Sequence, residues 1–98
     1  MLYVIIASDV ANSLEMRQKH RPEHLKRLHK LRDEGRLIAA GPNPIIDAAD
    51  TSAGCSGSII IAEFASLDKA QTWAQNDPFM LNGVYQNISV KPFIKALP

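Results

Sequence analysis

The sequence has a single cysteine, Cys55, and so cannot form a disulfide within the chain. That excludes a stapled secreted scaffold, CxxC redox chemistry and cysteine-built zinc sites. Aromatic residues make up only 6%, too few for a platform that stacks bases. Net charge is nearly absent: 11 Lys and Arg against 10 Asp and Glu give a formal +1. Such a balance argues against a dedicated nucleic-acid binder. No stretch approaches the ~20 apolar residues of a membrane-spanning helix. The start MLYVIIASDV lacks the basic region and the long apolar run of a signal peptide. Internal repeats and low-complexity segments are missing as well. The expectation is one cytoplasmic domain over residues 1–98, with no membrane or nucleic-acid partner.

What is present is ordinary globular material, 46% hydrophobic and 21% charged. Leu2–Ser8 is apolar and rich in β-branched residues, and reads as a strand. Pro22 suits the first turn of a helix better than its interior. A helix is therefore predicted from Arg21 to Glu34, stopped by Gly35, with a separate weaker turn before Pro22. Arg36–Gly41 reads as a second strand and Asn43–Gly57 as a long loop. Ser58–Phe64 is a third strand. Ser66 is a fitting N-cap for a helix over Leu67–Gln75, which Asp77-Pro78 ends. Val84–Val90 is a fourth strand, extended by Lys91-Pro92-Phe93.

The order β-α-β-β-α-β predicts an α+β, ferredoxin-like fold, an antiparallel sheet with two helices on one face. The other face raises a difficulty. Leu2, Val4 and Ile6 alternate with Tyr3, Ile5 and Ala7, and Ile59 and Ile61 alternate with Ile60 and Ala62, so the central strands are apolar on both sides. Two helices cover only one side. Either the 43–57 loop covers the other, or a second copy does, and a two-fold homodimer through the sheet face is the expectation.

The first helix carries Leu25, Leu28 and Leu31 on one stripe, and His24 falls within that stripe at ~100° per residue. Near a helix N-terminus, the dipole would disfavour a cation and so favour the neutral imidazole that a general base needs. A lone inward histidine is also an ordinary packed core residue. The topology adds a partner: the ends of strand one and helix two return to the rim where His24 lies. Asp77 is thereby brought near His24, where a carboxylate can fix the imidazole tautomer. Asp77 can equally be a turn residue before Pro78. Ser8, Asp9, Gly41 and Ser58 are expected around the same opening, as substrate-binding candidates. Arg17, Lys19 and Arg21 form a basic cluster near the rim, either a solvated face or an attractor of anions. His20 and His24 have HxxxH spacing, but no third ligand is evident, so no metal site is expected. Nothing in Ala53–Gly57 activates Cys55.

The segments MLYVIIASD, RPEHLKRLHKLRDEGRLIAAGPNP, GSIIIAEFASLDKAQTWAQNDPF and GVYQNISVKPF resemble the YciI-like (YCII-related) family, over nearly the whole chain and in the same order. The most specific pieces are RPxHL, AAGPNP, NDPF and VKPF. The resemblance implies a dimeric α+β barrel, in which two ferredoxin-like subunits stack their sheets. It also implies a histidine–aspartate active-site pair, matching His24 in RPEHL and Asp77 in NDPF. Some relatives resemble dehydrochlorinases of chlorinated hydroxyquinols, and the wider superfamily includes muconolactone isomerases and cofactor-free monooxygenases. Those precedents imply proton abstraction or elimination on a small ring compound. The expectation is thus a homodimeric acid–base enzyme without cofactor, acting on a small ring-containing or polar metabolite. The alternative is a small-molecule binding or regulatory module without chemistry. An enzyme of this kind needs His24 and Asp77 within ~3.2 Å of each other, or bridged by one water, beside an accessible cavity.

Overall fold

The alternation of the first strand sets the two faces of the molecule. In the computed structural model, which describes residues 1–98, β1 (Leu2–Asp9) buries Tyr3, Ile5, Ala7 and Asp9 on one side and leaves Ile6 exposed on the other. The chain continues as α1 (Leu14–Asp33), β2 (Leu37–Pro44), β3 (Cys55–Glu63), α2 (Leu67–Gln75), α3 (Pro78–Leu81) and β4 (Tyr85–Phe93). The sheet order is β2-β3-β1-β4, and every neighbouring pair is antiparallel. This is the ferredoxin-like arrangement that the element order implies.

Both long helices pack on the face that Tyr3, Ile5, Ile60 and Ala62 present. Leu28 and Leu31 of α1 and Ala70 and Ala74 of α2 complete that cluster. A smaller cluster of Ala7, Phe79, Val84 and Tyr85 closes the core at the other end of β1. The two prolines of β2, Pro42 and Pro44, are tolerated because β2 is an edge strand, where a missing N–H need not break a ladder.

The largest departure from the sequence expectation is the first helix. It starts at Leu14, not Arg21, and runs through Pro22 as one twenty-residue segment. Pro22 is exposed, so the carbonyl that loses its partner can be hydrated. The early turns are anchored by a buried polar contact, Arg17 with Asp9, which no apolar periodicity announces. His24 therefore lies past the middle of the helix, and the N-terminal dipole has no bearing on it. The helix ends as expected: Gly35 takes φ +72°, and the Arg36 N–H bonds back to the Leu31 carbonyl.

The other boundaries move less. β2 extends to Pro44 and β3 begins at Cys55, so the segment expected as a 43–57 loop shrinks to residues 45–54. Gly57, expected in that loop, is a buried strand residue. A side chain there would collide with the Ala7 carbonyl, so glycine is what lets β3 approach β1 at this end. A short helix, α3, follows Asp77 directly, where only a turn was expected. No helix is long and apolar enough to cross a membrane.

Candidate functional site

His24 and Asp77 meet although 53 residues separate them. The imidazole Nδ1 lies 2.8 Å from Oδ1 and 2.9 Å from Oδ2 of Asp77. Both side chains are buried. α1 supplies the histidine on the stripe that Arg17, Leu28 and Leu31 share. The aspartate is placed by its own local chemistry. Asp77 is the N-cap of α3, with Pro78 in the first turn, and its Oδ1 accepts the Phe79 N–H at 2.8 Å. The same carboxylate thus ends one structural task and begins another. It fixes the α3 entry and holds Nδ1, which leaves Nε2 as the ring nitrogen free for other partners.

Phe79 completes the support. Its ring lies parallel to the imidazole, 4.0 Å between centroids and 10° between planes. Tyr85 packs edge-on against Phe79, with 5.6 Å between ring centroids. Arg27, one turn beyond His24, stacks on Trp73 at 4.3 Å and donates to the Trp73 carbonyl at 2.8 Å, near the end of α2. Burial pushes the Arg27 guanidinium down from its usual range, and the charge of Asp77 works in the opposite sense.

A second buried pair sits seven residues earlier on the same helix. Arg17 donates from Nε to Asp9 Oδ2 at 2.6 Å and from Nη2 to Asp9 Oδ1 at 2.9 Å. Nη2 also reaches the Gly57 carbonyl and Ser58 Oγ, each at 2.8 Å. Ser13 donates to Asp9 at 2.5 Å. Burial opposes the charge on Arg17, but the hydrogen bond and charge of Asp9 more than offset it and hold the guanidinium pKa above its ordinary value. Tyr85 is pushed in the direction of the neutral phenol, chiefly by burial, with Ser58 partly countering. Its hydroxyl has Ser58 nearby but no hydrogen bond of good geometry.

Both pairs adjoin one cavity of about 450 Å³, open to solvent between α1 and the β2–β3 edge. That volume is typical of small-molecule sites. His24, Arg17 and Phe79 line it, as do Gly41 and Ser58 of the residues expected from the sequence. The other three expected residues do not line it, and Asp77 reaches it only through His24. Ser8 alternates with Ala7 and Asp9, and the two-residue period of the strand turns it to the opposite face. Asp9 points inward but is consumed by Arg17 and Ser13. Cys55 is buried and lines the cavity as well. Leu25, Leu28, Pro42 and Ile60 supply apolar wall. The sequence places Arg17 in a basic cluster with Lys19 and Arg21, either a solvated face or an attractor of anions. The structure buries Arg17 and makes it the second polar anchor of the cavity.

The match to known proteins is continuous along the chain. The YCII-related domain model covers residues 1–94. Protein YciI of Escherichia coli is 57% identical over 97 residues, spanning 98% of this chain and 99% of the relative. An uncharacterized Haemophilus influenzae protein is 50% identical over the same shares of the two chains. Among solved structures, 5-chloro-2-hydroxyhydroquinone dehydrochlorinase (TftG) from Burkholderia phenoliruptrix, in complex with 2,5-dihydroxybenzoquinone, is similar with a TM-score of 0.84. It is 26% identical, and the match covers 96% of this chain and 94% of that one. The chain belongs to the YCII-related family.

Proposed function

We propose that the protein is an acid–base enzyme for a small ring-containing metabolite, with His24 as the proton-transferring group and Asp77 as the group that orients it. The observation that carries this reading is the 2.8 Å contact of His24 Nδ1 with a buried carboxylate at the wall of an open cavity. A carboxylate on Nδ1 selects the tautomer with a free Nε2 and stabilises the imidazolium once a proton has been taken. In an elimination, Nε2 accepts a proton from the substrate. The electron pair left behind forms a new π bond, and the leaving group departs as its anion. The imidazolium then returns its proton to solvent. Such a step needs no cofactor. The structurally similar protein is named as a dehydrochlorinase, which is chemistry of this type.

The reading includes a homodimer. Ile6 and Ile59 are direct cross-strand partners, and each remains 39% exposed on the face away from the helices. Val4 and Ile61, also paired, share that face and are only half-buried. A second copy of the same sheet is the self-complementary cover for such a surface. A stable pairing would bury at least ~1,200 Å² in total.

The test is turnover. Purified protein is incubated with 5-chloro-2-hydroxyhydroquinone and with a panel of other halogenated and unhalogenated hydroquinones, while ring absorbance and released halide are followed. The expected outcome is turnover of at least one compound, falling by a factor of at least ~10² in His24→Gln, as loss of a general base does. Turnover that survives in His24→Gln would defeat the assignment. Binding of these compounds without conversion would favour a ligand-binding module instead.

A further inference from the structure

The guanidinium of Arg17 has five N–H bonds. Nε gives its one to Asp9, and Nη2 faces three acceptors: Asp9, the Gly57 carbonyl and Ser58 Oγ. Nη1 has no partner within the chain and is not sealed from solvent, in a residue that lines the cavity. The Asp9 fork fixes the guanidinium plane, so these two remaining N–H bonds are held in one direction. Ser58 Oγ already accepts from Arg17 and lines the same cavity, and its own proton is shared between a ligand there and the nearby Tyr85 hydroxyl. Arg17 and Ser58 are 7% and 3% exposed. No Asp or Glu lines the cavity. The two buried carboxylates nearby are spent, Asp9 on Arg17 and Ser13, Asp77 on His24 and the Phe79 N–H. The unspent polar groups beside the apolar wall of Leu25, Leu28 and Ile60 thus include no carboxylate, and the charge they carry is that of Arg17 and Arg21, alongside Gln18, Thr51 and the His24 Nε2.

We propose that Arg17 and Ser58 form an oxyanion-binding subsite at one end of the cavity, and that the ligand is a small ring compound bearing an ionised ring oxygen, an enolate or phenolate. The inference takes the ring-shaped ligand and the role in turnover from the acid–base reading, while the preference for an oxyanion stands on Arg17 and Ser58. There it stabilises the charge that develops on a ring oxygen when His24 takes the proton. Fixed donors in a largely desolvated site do this without reorganising. An uncharged ligand in the same place would strip water from Arg17 Nη1 and return less for it.

Two probes of one ring shape test the subsite. 2,5-Dihydroxybenzoquinone is a vinylogous acid, ionised at neutral pH, whereas 2,5-dimethoxybenzoquinone has no ionisable oxygen. Calorimetry on the wild-type protein at pH 7.5 should show at least ten-fold tighter binding of the first. The absorbance of the bound anion should place its protonation midpoint at least one pH unit below that of the free compound. D9N/R17Q replaces the ion pair by a neutral amide pair and should erase the preference for charge. Ser58→Ala should reduce that preference at least three-fold, and His24→Gln should keep it. Equal affinity for the two probes, no binding of either at millimolar concentration, or a preference that persists in D9N/R17Q would overturn the proposal. Should D9N/R17Q fail to fold, Ser58→Ala and the wild-type midpoint decide, and no change in either overturns it. A retained preference for charge with undiminished turnover in His24→Gln would refute the acid–base role and leave the subsite standing. The reverse pattern would do the opposite.

Discussion

The ring of Phe79 lies flat against the imidazole of His24, 4.0 Å away, while the Phe79 backbone N–H donates to Asp77, the aspartate that holds Nδ1. One residue thus restrains both members of the pair, the aspartate by a backbone hydrogen bond and the histidine by its side chain. Phe79→Leu separates the two effects, because the backbone donor stays and the flat ring goes. The fold should survive with a loss of about 1–3 kcal/mol, the range for reshaping a buried core position. The proton shared between His24 and Asp77 should broaden in NMR spectra as the imidazole gains freedom. An unchanged resonance would show that the carboxylate alone sets the ring.

Asp77 can be divided in a similar way. Asparagine is as good an N-cap as aspartate, whereas alanine is a poor one. Asp77→Asn should therefore keep the start of α3 and weaken mainly the hold on His24. Asp77→Ala loses the cap as well and leaves the Phe79 N–H buried without a partner. Denaturant unfolding should place the alanine variant about 1–2 kcal/mol below the asparagine variant. Turnover should fall steeply in both, since an amide can stabilise the wrong imidazole tautomer. Equal stabilities would mean that the cap contributes little.

How far the site was legible follows from the kind of signal each residue carries. The helix over Leu67–Gln75 is set by local chemistry, a Ser66 cap and a proline stop, and appears at the residues expected. The nearness of His24 and Asp77 was legible in strand and helix directions and in the family motifs. The premise that His24 sits near a helix N-terminus did not hold, since it lies past the middle of α1. Arg17 was not legible. A charged residue before a proline reads as solvent-exposed, and the partner that buries it, Asp9, lies on another element. Continuing the helical period backwards through Pro22 would have found it, since Arg17 and His24 are two turns apart on one face. Ser8 was misplaced by proximity in sequence, where the alternation of β1 decides the side.

The cross-strand pair Ile6 and Ile59 is the place to test the dimer without touching the cavity. Neither residue contributes to the helix-side core, and each is 39% exposed. Ile6→Glu should fold and should sediment as a monomer at micromolar concentration, because a like charge is placed on both sides of a two-fold contact. The wild type should remain a dimer across the same dilution series. A monomeric wild type would mean that this face is covered by something else or left open. Both proteins should retain the His24–Asp77 proton resonance, which separates loss of assembly from loss of fold.

Tyr85 gives a prediction about pH whose sign follows from its burial. The residue is 4% exposed, its hydroxyl is unpartnered, and burial is the main cause holding its phenol well above the ordinary tyrosine range. The negative charges of Asp77 and Asp9 push in the same direction, while Ser58 and Arg17 push against it. In the unfolded chain the phenol ionises near its usual pKa of ~10. Below that pH both states are protonated and the group adds no pH dependence. Above it the unfolded state loses the proton first, so stability falls with rising pH until the folded phenol ionises too. Chemical denaturation of the wild type should therefore show a decline that begins near pH 10, with a slope of up to about 1.4 kcal/mol per pH unit from this one group. Tyr85→Phe should flatten that decline. At pH 7 the same substitution removes an unpartnered buried hydroxyl and should be neutral, or stabilising by up to about 1 kcal/mol. A loss of more than about 1 kcal/mol at pH 7 would show that the hydroxyl makes a hydrogen bond in solution, with Ser58 as its nearest candidate partner.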